Sequence, residues 1–434
     1  MGSGPDRDIR QKIQALLASG RAAEALPLLK AQVRETPDDV LAWANLIRVC
    51  EQLNQVAQAA EFVQEAHARG LAHPLIQLAE ASVLRRQGEL VEAQKKVAEC
   101  LALNDAPPWF RASSHYEAAR IFDAAGQWQK AYEAARDANG YAKPLWPSAW
   151  FDDALWRWLE ALKRYQPKPN ATDDNAPVFL VGYPRSGTTL VHQMLDAHER
   201  FQVIDEWPIM EKLAAEVASN WGDLLSPLTD TKAAELRARY WQLAPTSSAI
   251  VVDKLPLNLL FWPLIRRLFP NAKIVIVRRH PLDAALSAFM QEFRPHPTLV
   301  PFLDMADSIR YWLKLNELVT HIEVTDTGYV RVVEYEALVT EPRSTLTSLM
   351  AFLGEPFDER QLKFYVHARG QQQINTPSYH QVVRPIYRSS IGRWRNYASC
   401  LPGASIETLK QLIGERWDLS LTSSPDSAVG ADND

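Results

Sequence analysis

The feature that most constrains this chain is a glycine-rich turn between an apolar segment and the start of a helix. Residues 178–182 read Val-Phe-Leu-Val-Gly, a short apolar run typical of a buried strand. Gly182 and Gly187 bound the turn, and an apolar-periodic segment begins directly after it. A strand that leads through such a turn into a helix can place backbone N–H groups around a phosphate. The segment therefore predicts an α/β fold with an anion site at the end of its first strand.

The turn differs in one position from the Walker A pattern, G-x-x-x-x-G-K-[ST], which binds the phosphates of ATP. Gly182 and Gly187 have the matching spacing, and Thr189 stands at the hydroxyl position. Thr188, however, occupies the place of the lysine that serves a β- or γ-phosphate. The positive charge lies within the loop instead, on Arg185. The turn thus favours a nucleotide with a single 5′-phosphate group over ATP.

Composition limits the class of protein. The chain has 434 residues, 47% of them hydrophobic and 23% charged, which is typical of a soluble globular protein with two or three domains. Its net charge of −5 gives no sign of nucleic-acid binding, and no segment has the roughly 20 apolar residues of a membrane span. Three distant cysteines form no metal-ligand pattern, and the first residues include no apolar signal segment. We therefore expect a cytoplasmic protein with reduced thiols and without a metal site.

The first 145 residues contain an internal repeat. A small turn residue recurs at Gly20, Asn54, Gly88 and Gly126, and an alanine follows each of them after five positions. A proline closes each unit, so each is predicted to be a helix, a tight turn and a second helix. The period near 34 residues resembles the tetratricopeptide repeat. Residues 1–145 are thus predicted to form a TPR-like helical repeat domain, whose concave surface commonly holds a peptide or protein.

The remaining chain has three predicted parts. Residues 146–177 are expected to form a connecting helix and a linker rich in proline and polar residues. In residues 178–420 short apolar runs alternate with helical patterns, which predicts a P-loop-type α/β domain whose parallel sheet is covered by helices on both faces. Residues 421–434 are small, polar and acidic, as is typical of a disordered tail.

A second anion site is predicted near the first. Arg279 follows an apolar strand pattern, and Ser287 lies eight residues later on the helix that follows. Ligand sites in open parallel sheets form outside the carboxyl ends of the strands. A guanidinium and a hydroxyl placed there can converge on a second phosphate.

These segments together resemble the sulfotransferase family, whose members bind 3′-phosphoadenosine-5′-phosphosulfate (PAPS). The family's 5′-phosphosulfate loop resembles residues 183–189, and its 3′-phosphate motif resembles Arg279 with Ser287. The resemblance covers roughly residues 178–400 and is greatest to tyrosylprotein sulfotransferases and their bacterial relatives. It implies transfer of a sulfuryl group from PAPS to a hydroxyl, with release of adenosine 3′,5′-bisphosphate (PAP) and without a metal.

The resemblance also implies roles for individual residues. Glu206 matches the family's general base, and Lys254 matches the lysine that contacts the bridging oxygen and the leaving phosphate. Arg185 is the third catalytic candidate, because it can stabilise the departing 5′-phosphate. The residues implied to bind the nucleotide are Arg185, Ser186, Gly187, Thr188, Thr189, Arg279, Ser287, Tyr335, Ser390, Arg393 and Arg395.

Two other functions and several acceptors stay open at this point. A P-loop phosphotransferase would bind ATP with Mg²⁺, and a TPR adaptor would carry a non-catalytic nucleotide-binding domain. The acceptor is either a peptide or protein held by the repeat groove or a small hydroxylated metabolite, lipid or glycan. The repeats are equally suited to forming a homodimer.

Overall fold

The computed structural model describes residues 4–18, 21–167, 175–245, 249–370 and 385–419. Most of the predicted linker, residues 168–174, and the whole predicted tail, residues 421–434, lie outside the described residues. Of the helices that the structure describes, none is long and apolar enough to cross a membrane.

The N-terminal part of the described chain is a stack of helix pairs, as the repeat predicted. Asn54, Gly88 and Gly126 adopt positive φ angles of 60°, 85° and 68° in the turns within three of the pairs. The alanine that follows each predicted turn is fully buried, as close helix packing requires. The eight helices of this region are α1 Gly4–Ala18, α2 Ala22–Glu35, α3 Val40–Gln52, α4 Val56–Ala68, α5 Pro74–Gln87, α6 Leu90–Leu101, α7 Pro108–Ala124 and α8 Trp128–Ala142.

Two prolines of the repeats have a different role from the one expected. Pro74 and Pro108 are the first residues of α5 and α7, so they begin the next unit and do not end the previous helix. The first turn of a helix tolerates proline, because its N–H group would have no intrahelical partner there.

The second part of the chain contains a parallel sheet of five strands, which confirms the predicted fold class. The spatial order is β2-β3-β1-β4-β5, and every neighbouring pair is parallel. The chain places β2 and β3 on one side of β1 and β4 and β5 on the other side. Open parallel sheets bind ligands in the crevice that forms where the strand order changes direction in this way. The strands are β1 Val178–Gly182, β2 Phe201–Asp205, β3 Ile250–Lys254, β4 Ile274–Arg278 and β5 Val330–Glu334.

Helices cover both faces of this sheet. The chain between β2 and β3 is divided into two α-helices, because Asn220 and Asp223 form a capping box that starts a separate 3₁₀ turn at Trp221–Leu225. The α-helices that follow the repeats are α9 Ala154–Leu162, α10 Thr188–Asp196, α11 Ile209–Ala215, α12 Asp230–Leu243, α13 Trp262–Leu268, α14 Pro281–Phe289, α15 Met305–Thr325, α16 Tyr335–Thr340, α17 Pro342–Leu353, α18 Phe364–Gly370 and α19 Gly403–Ile413. Further 3₁₀ segments are Lys143–Leu145, Ser148–Phe151, Pro256–Phe261, Pro297–Leu303, Glu359–Lys363 and Arg393–Cys400.

The helical repeats and the sheet domain share a hydrophobic core. One cluster of buried residues continues from α5–α8 through α9 to one face of the sheet, while the other face packs on a second cluster. Polar contacts join the same parts, since the Asn139 amide donates to the carbonyl oxygen of Phe289 at 3.0 Å and Ser113 donates to Glu292 at 2.7 Å. The concave side of the repeats is therefore fixed next to the carboxyl ends of the strands.

Candidate active site

Two glycines allow the loop after β1 to fold tightly against its neighbours. Gly182 has a φ of 154°, and a Cβ atom there would lie 2.5 Å from the carbonyl oxygen of Val277 on β4. Gly187 precedes α10 with a φ of 103°, and a Cβ atom there would lie 2.4 Å from the ring of Tyr335. Side chains rarely adopt these backbone angles, and neither position has room for one. Local packing thus requires the glycine spacing seen in the sequence.

The loop presents hydroxyl groups at the N-terminus of α10. Thr188 and Thr189 are the first two residues of this helix, and both line a large cleft. Ser186 is fully buried, and its Oγ has no hydrogen-bond partner among the described residues. A buried hydroxyl without a partner is costly, and a helix N-terminus favours negative charge. Both observations fit an anionic ligand whose oxygen atoms complete the loop.

The structure brings the predicted arginine and serine of the second anion site to this loop. Arg185, which has a φ of 69°, donates its Nε–H to Oγ of Ser287 at 3.2 Å. Arg279 follows β4 and donates to the carbonyl oxygens of Arg185 at 3.1 Å and Ser390 at 2.5 Å. Its guanidinium also lies 4.8 Å from the ring centroid of Tyr335. Five predicted nucleotide ligands are therefore in direct contact.

Positive charge is concentrated at this position. Burial and then the neighbouring charge of Arg279 lower the pKa of Arg185 to about 10, and Arg393 adds a smaller effect in the same direction. The Nε of Arg279 is buried without a hydrogen-bond partner among the residues that the structure describes. Guanidinium groups that repel one another are stabilised by a ligand with several negative charges. The site thus fits an anion with more than one phosphate or sulfate group.

The C-terminal segment 390–397 is anchored beside this cluster by α14. The carboxylate of Asp283 accepts hydrogen bonds from the backbone N–H groups of Gly392 at 2.7 Å and Trp394 at 2.8 Å. The Trp394 ring stacks on His280 at a centroid distance of 5.5 Å. These contacts hold the start of the segment at the rim of the cleft.

The two predicted arginines of this segment have different surroundings. Arg393 lines the cleft and forms an ion pair with Asp123, which belongs to α7 of the repeats. Arg395 pairs with Asp418 at 2.5 Å, lies 4.9 Å from the Trp394 ring and does not line the cleft. The structure thus brings Arg393, but not Arg395, to the other predicted nucleotide ligands.

The predicted base and lysine are in contact at the ends of β2 and β3. Lys254 is fully buried, and its Nζ donates to Oε1 of Glu206 at 2.6 Å and to Oδ1 of Asp205 at 2.9 Å. Burial by itself lowers the pKa of Lys254, but the two carboxylates outweigh burial and raise it. Glu206, with 32% of its side chain exposed, lines the cleft, and Lys254 does not. The carboxylate therefore faces the cleft and the ammonium group lies behind it.

An unusual backbone angle allows Asp205 and Glu206 to reach the same ammonium group. Successive side chains of a strand point to opposite faces. Glu206 has a φ of 59°, and its N–H donates to the carbonyl oxygen of Lys254 at 2.8 Å. The chain thus leaves the strand at Glu206, and both neighbouring carboxylates contact Lys254.

The cleft is shared by the two parts of the chain. Its volume is about 2030 Å³, and it extends from the loop after β1 and Glu206 to the concave side of the helical repeats. Pockets for small ligands are usually about 300–1,000 Å³. The repeat residues that line it include Leu41, Arg48, Glu51, Leu75, Ser82, Arg85, Trp109, Ser113, Glu117, Arg120 and Asp123.

The sequence did not reveal four carboxylate and imidazole groups that support the site. Asp205 holds Lys254, and His192 on α10 places its Nδ1 3.5 Å from Asp205 Oδ1. Asp283 anchors the C-terminal segment, and Asp123 binds Arg393. Asp205 is adjacent to Glu206 in the sequence, which was a usable signal; the other three belong to no local pattern. Within the described ranges no cluster of three or more His, Cys, Asp or Glu residues could hold a metal ion.

The sequence of this chain is similar to those of protein-tyrosine sulfotransferases and of an uncharacterized bacterial protein. The protein-tyrosine sulfotransferase of Drosophila melanogaster is 25% identical over 263 residues, which are 51% of this chain and 50% of that protein. An uncharacterized protein of Aquifex aeolicus is 25% identical over 415 residues, 90% of this chain and 53% of that protein. This chain thus spans about half the length of both relatives.

Two solved structures have limited similarity to this chain. The sulfotransferase domain from the curacin biosynthetic pathway is 20% identical with a TM-score of 0.39, and 56% of this chain covers 98% of it. Mouse sulfotransferase SULT7A1 complexed with PAP is 18% identical with a TM-score of 0.37, and 60% of this chain covers 88% of it.

Family models match both parts of the chain. Residues 177–359 match the sulfotransferase family, and residues 16–83 match the tetratricopeptide repeat. The first match contains the loop after β1, Glu206, Lys254, Arg279 and Ser287. The sulfotransferase match thus covers the parallel sheet, and the tetratricopeptide match covers part of the helical repeats.

Proposed function

We propose that this protein transfers the sulfuryl group of PAPS to a hydroxyl acceptor, with Glu206 as the general base. The observation that carries the proposal is the shared position of the Arg185–Arg279 cluster and the Glu206 carboxylate on one cleft. A polyanion bound by the arginines would lie next to a carboxylate that can accept a proton. The sulfotransferase-family match supports this reaction class.

The described residues fit the two charged ends of the nucleotide. The hydroxyls of Thr188 and Thr189 and the Arg185 guanidinium line the cleft and would hold the 5′-phosphosulfate, whereas the predicted ligand Ser186 is buried behind them and does not line the cleft. Arg279, whose buried Nε is without a partner among the described residues, would hold the 3′-phosphate with the residues Ser287, Ser390 and Arg393. Arg395 is left out of this set, because it pairs with Asp418 outside the cleft.

The geometry of Glu206 suits proton removal from an acceptor. Its Oε1 is bound by Lys254, and among the described residues its Oε2 takes part in no hydrogen bond. A hydroxyl placed in the cleft could donate to Oε2 and transfer its proton there as its oxygen attacks. PAPS supplies the sulfuryl group, whose bond to the 5′-phosphate breaks as the new sulfur–oxygen bond forms and PAP leaves. The acceptor's proton ends on Glu206, so the step is balanced.

We propose that the acceptor hydroxyl belongs to a peptide or protein. The cleft is larger than a small acceptor needs, and repeat residues on α3, α5 and α7 line it together with Glu206. Repeat stacks commonly bind extended polypeptides on this concave side. The tyrosine-sulfating relatives are consistent with such an acceptor.

Nucleotide binding and transfer test the proposal directly. Calorimetry should show that the protein binds PAP, and Glu206→Gln should leave that affinity within about twofold while lowering transfer from PAPS by about 10²–10⁴-fold. Glu199→Gln is the matched control, because Glu199 is an exposed carboxylate that pairs with Arg360.

Other outcomes favour the alternative functions. Binding of ATP with Mg²⁺ but not of PAP would point to phosphoryl transfer. Binding of PAP with no effect of Glu206→Gln would point to an adaptor. If small phenols are sulfated with the same kcat/KM as tyrosine-containing peptides of about 15 residues, only the proposal of a polypeptide acceptor is contradicted, and the proposed sulfuryl transfer is not.

A further inference from the structure

Lys254 carries a charge that depends on two carboxylates. The residue is fully buried, and two of the three N–H groups of its ammonium bond to Asp205 and Glu206. A buried ammonium group that loses its counter-ions tends to release its proton. The two carboxylates therefore decide whether Lys254 stays charged.

The proposed reaction removes one of these two charges. When Glu206 accepts the acceptor's proton, its carboxyl group becomes neutral. Among the described residues, Asp205 is then the one carboxylate that remains within ion-pair distance of Lys254. This is also the moment when negative charge develops on the departing phosphate and a cation nearby is most useful.

We propose that Asp205 is the positioning residue that keeps Lys254 charged and in place while Glu206 takes up the proton. The inference rests on the proposed function, since it assigns different roles in that reaction to two adjacent carboxylates. Glu206 exchanges a proton with the acceptor, and Asp205 stays ionised throughout.

The surroundings of Asp205 suit a carboxylate that does not exchange protons with the acceptor. Asp205 does not line the cleft, and 13% of its side chain is exposed, compared with 32% for Glu206. Its carboxylate also faces the buried His192 Nδ1 at 3.5 Å. Burial raises the pKa of Asp205, but Lys254 and His192 together outweigh burial and hold it well below its usual range.

Several other charged groups lie close to this trio. Burial lowers the pKa of Arg185, from the loop after β1, and that of Arg294, which follows α14, and the charge of Glu206 opposes this effect in both. Asp253 precedes Lys254 on β3, but its carboxylate accepts from Tyr240 at 2.9 Å and from Asn258 at 3.0 Å. Asp253 is thus a buried carboxylate on the same strand that does not touch the ammonium group.

Asp205→Asn tests the inference, with Asp253→Asn as the matched control. In Asp205→Asn we expect the high-pH limb of the kcat profile to move down by about one pH unit or more, because Lys254 loses its proton at lower pH. We also expect kcat to fall about tenfold or more, while the Kd of PAP changes less than about threefold. Asp205→Glu should restore much of the profile, and Asp253→Asn should leave it in place.

A second measurement does not depend on activity. NMR of protein labelled with carbon-13 at the lysine ε position, with Lys254 assigned by Lys254→Arg, should show that Lys254 titrates at a lower pH in Asp205→Asn than in the wild type. Loss of PAP binding by the wild type would instead overturn the proposed function. The proposed role of Asp205 is wrong if Lys254 titrates at the same pH in Asp205→Asn and in the wild type, provided that the wild type binds PAP and transfers the sulfuryl group.

Discussion

Arg393, from the C-terminal segment 390–397, forms an ion pair with Asp123 on α7 of the helical repeats. The hydroxyl of Tyr397 donates to the same carboxylate, and the Arg393 guanidinium lies 5.7 Å from the Tyr397 ring centroid. One repeat side chain therefore orients a residue proposed to bind the nucleotide. The repeats contribute to the construction of the nucleotide site as well as to the cleft beside it.

Replacement of Asp123 by asparagine should weaken nucleotide binding. The neutral amide cannot hold the Arg393 guanidinium as firmly, so we expect the Kd of PAP to rise about threefold to tenfold, as for loss of one charge-assisted hydrogen bond. Calorimetry measures this change. Asp137→Asn, at an exposed carboxylate on α8, is the control. Tighter binding of PAP by Asp123→Asn would show that Asp123 competes with the phosphate for Arg393.

Replacement of Gly187 by alanine should damage both stability and nucleotide binding. The new Cβ atom would lie 2.4 Å from the Tyr335 ring, and the φ of 103° disfavours any side chain. We expect a loss of about 1–3 kcal/mol from backbone strain, with a further loss from the displaced ring. Thermal unfolding and PAP titration measure the two effects.

Gly140→Ala is the matched control for that substitution. Gly140 lies within α8, and a Cβ atom there would meet nothing within 4 Å. Alanine has a higher helix propensity than glycine, so the control variant should unfold at the same temperature as the wild type or at a slightly higher one. If Gly187→Ala and Gly140→Ala unfold at the same temperature and bind PAP equally well, the loop after β1 does not fit as tightly as the structure indicates.

The features that the sequence predicted correctly are those in which local pattern and tertiary packing agree. The apolar run 178–182 and the glycines after it form a strand and a tight loop, because each has its own steric requirement. The turn residues of the repeats likewise determine helix pairing locally. Arg279 and Ser287 could be placed because both follow one strand, at the end where such sheets bind ligands.

What could not be predicted depends on contacts between distant segments. Arg393 and Asp123 are 270 positions apart, so no spacing links them. The pairing of Arg395 with Asp418 depends on how the C-terminal segment meets the chain after α19. Strand alternation would leave only one of the neighbours Asp205 and Glu206 on the side of Lys254. Asp205 is the register partner of Lys254, and the positive φ of Glu206 brings the second carboxylate to the same ammonium group.

Replacement of Arg279 by lysine should weaken PAP binding although the charge is kept. Arg279 bonds to two carbonyl oxygens and stacks on Tyr335 at the same time. A lysine has a single terminal nitrogen and no planar group, so it cannot keep all these contacts. We expect the Kd of PAP to rise about tenfold or more, measured by calorimetry, whereas the exposed control Arg136→Lys should have no effect. Full affinity in Arg279→Lys would mean that Arg279 acts only as a point charge.

Asp253 should make the protein less stable as the pH rises toward neutrality. Burial raises the pKa of Asp253 to about 7, although hydrogen bonds from Tyr240 and Asn258 oppose this effect. An aspartate in an unfolded chain has a pKa near 3.9, so between about pH 4 and 7 the folded state binds the proton more tightly. The destabilisation is therefore absent below about pH 4, grows as the pH rises and is complete above about pH 7.

Asp253→Asn should remove this pH dependence, because the amide does not ionise. The free energy of unfolding of the variant, compared with that of the wild type, should rise with pH and reach an advantage on the order of 2–4 kcal/mol above pH 7. Urea unfolding of both proteins at pH 5, 6, 7 and 8 measures the difference, with the exposed Glu199→Gln as control. A difference that stays constant over this range would mean that Asp253 is ionised throughout in the folded protein, with its charge stabilised by Tyr240 and Asn258.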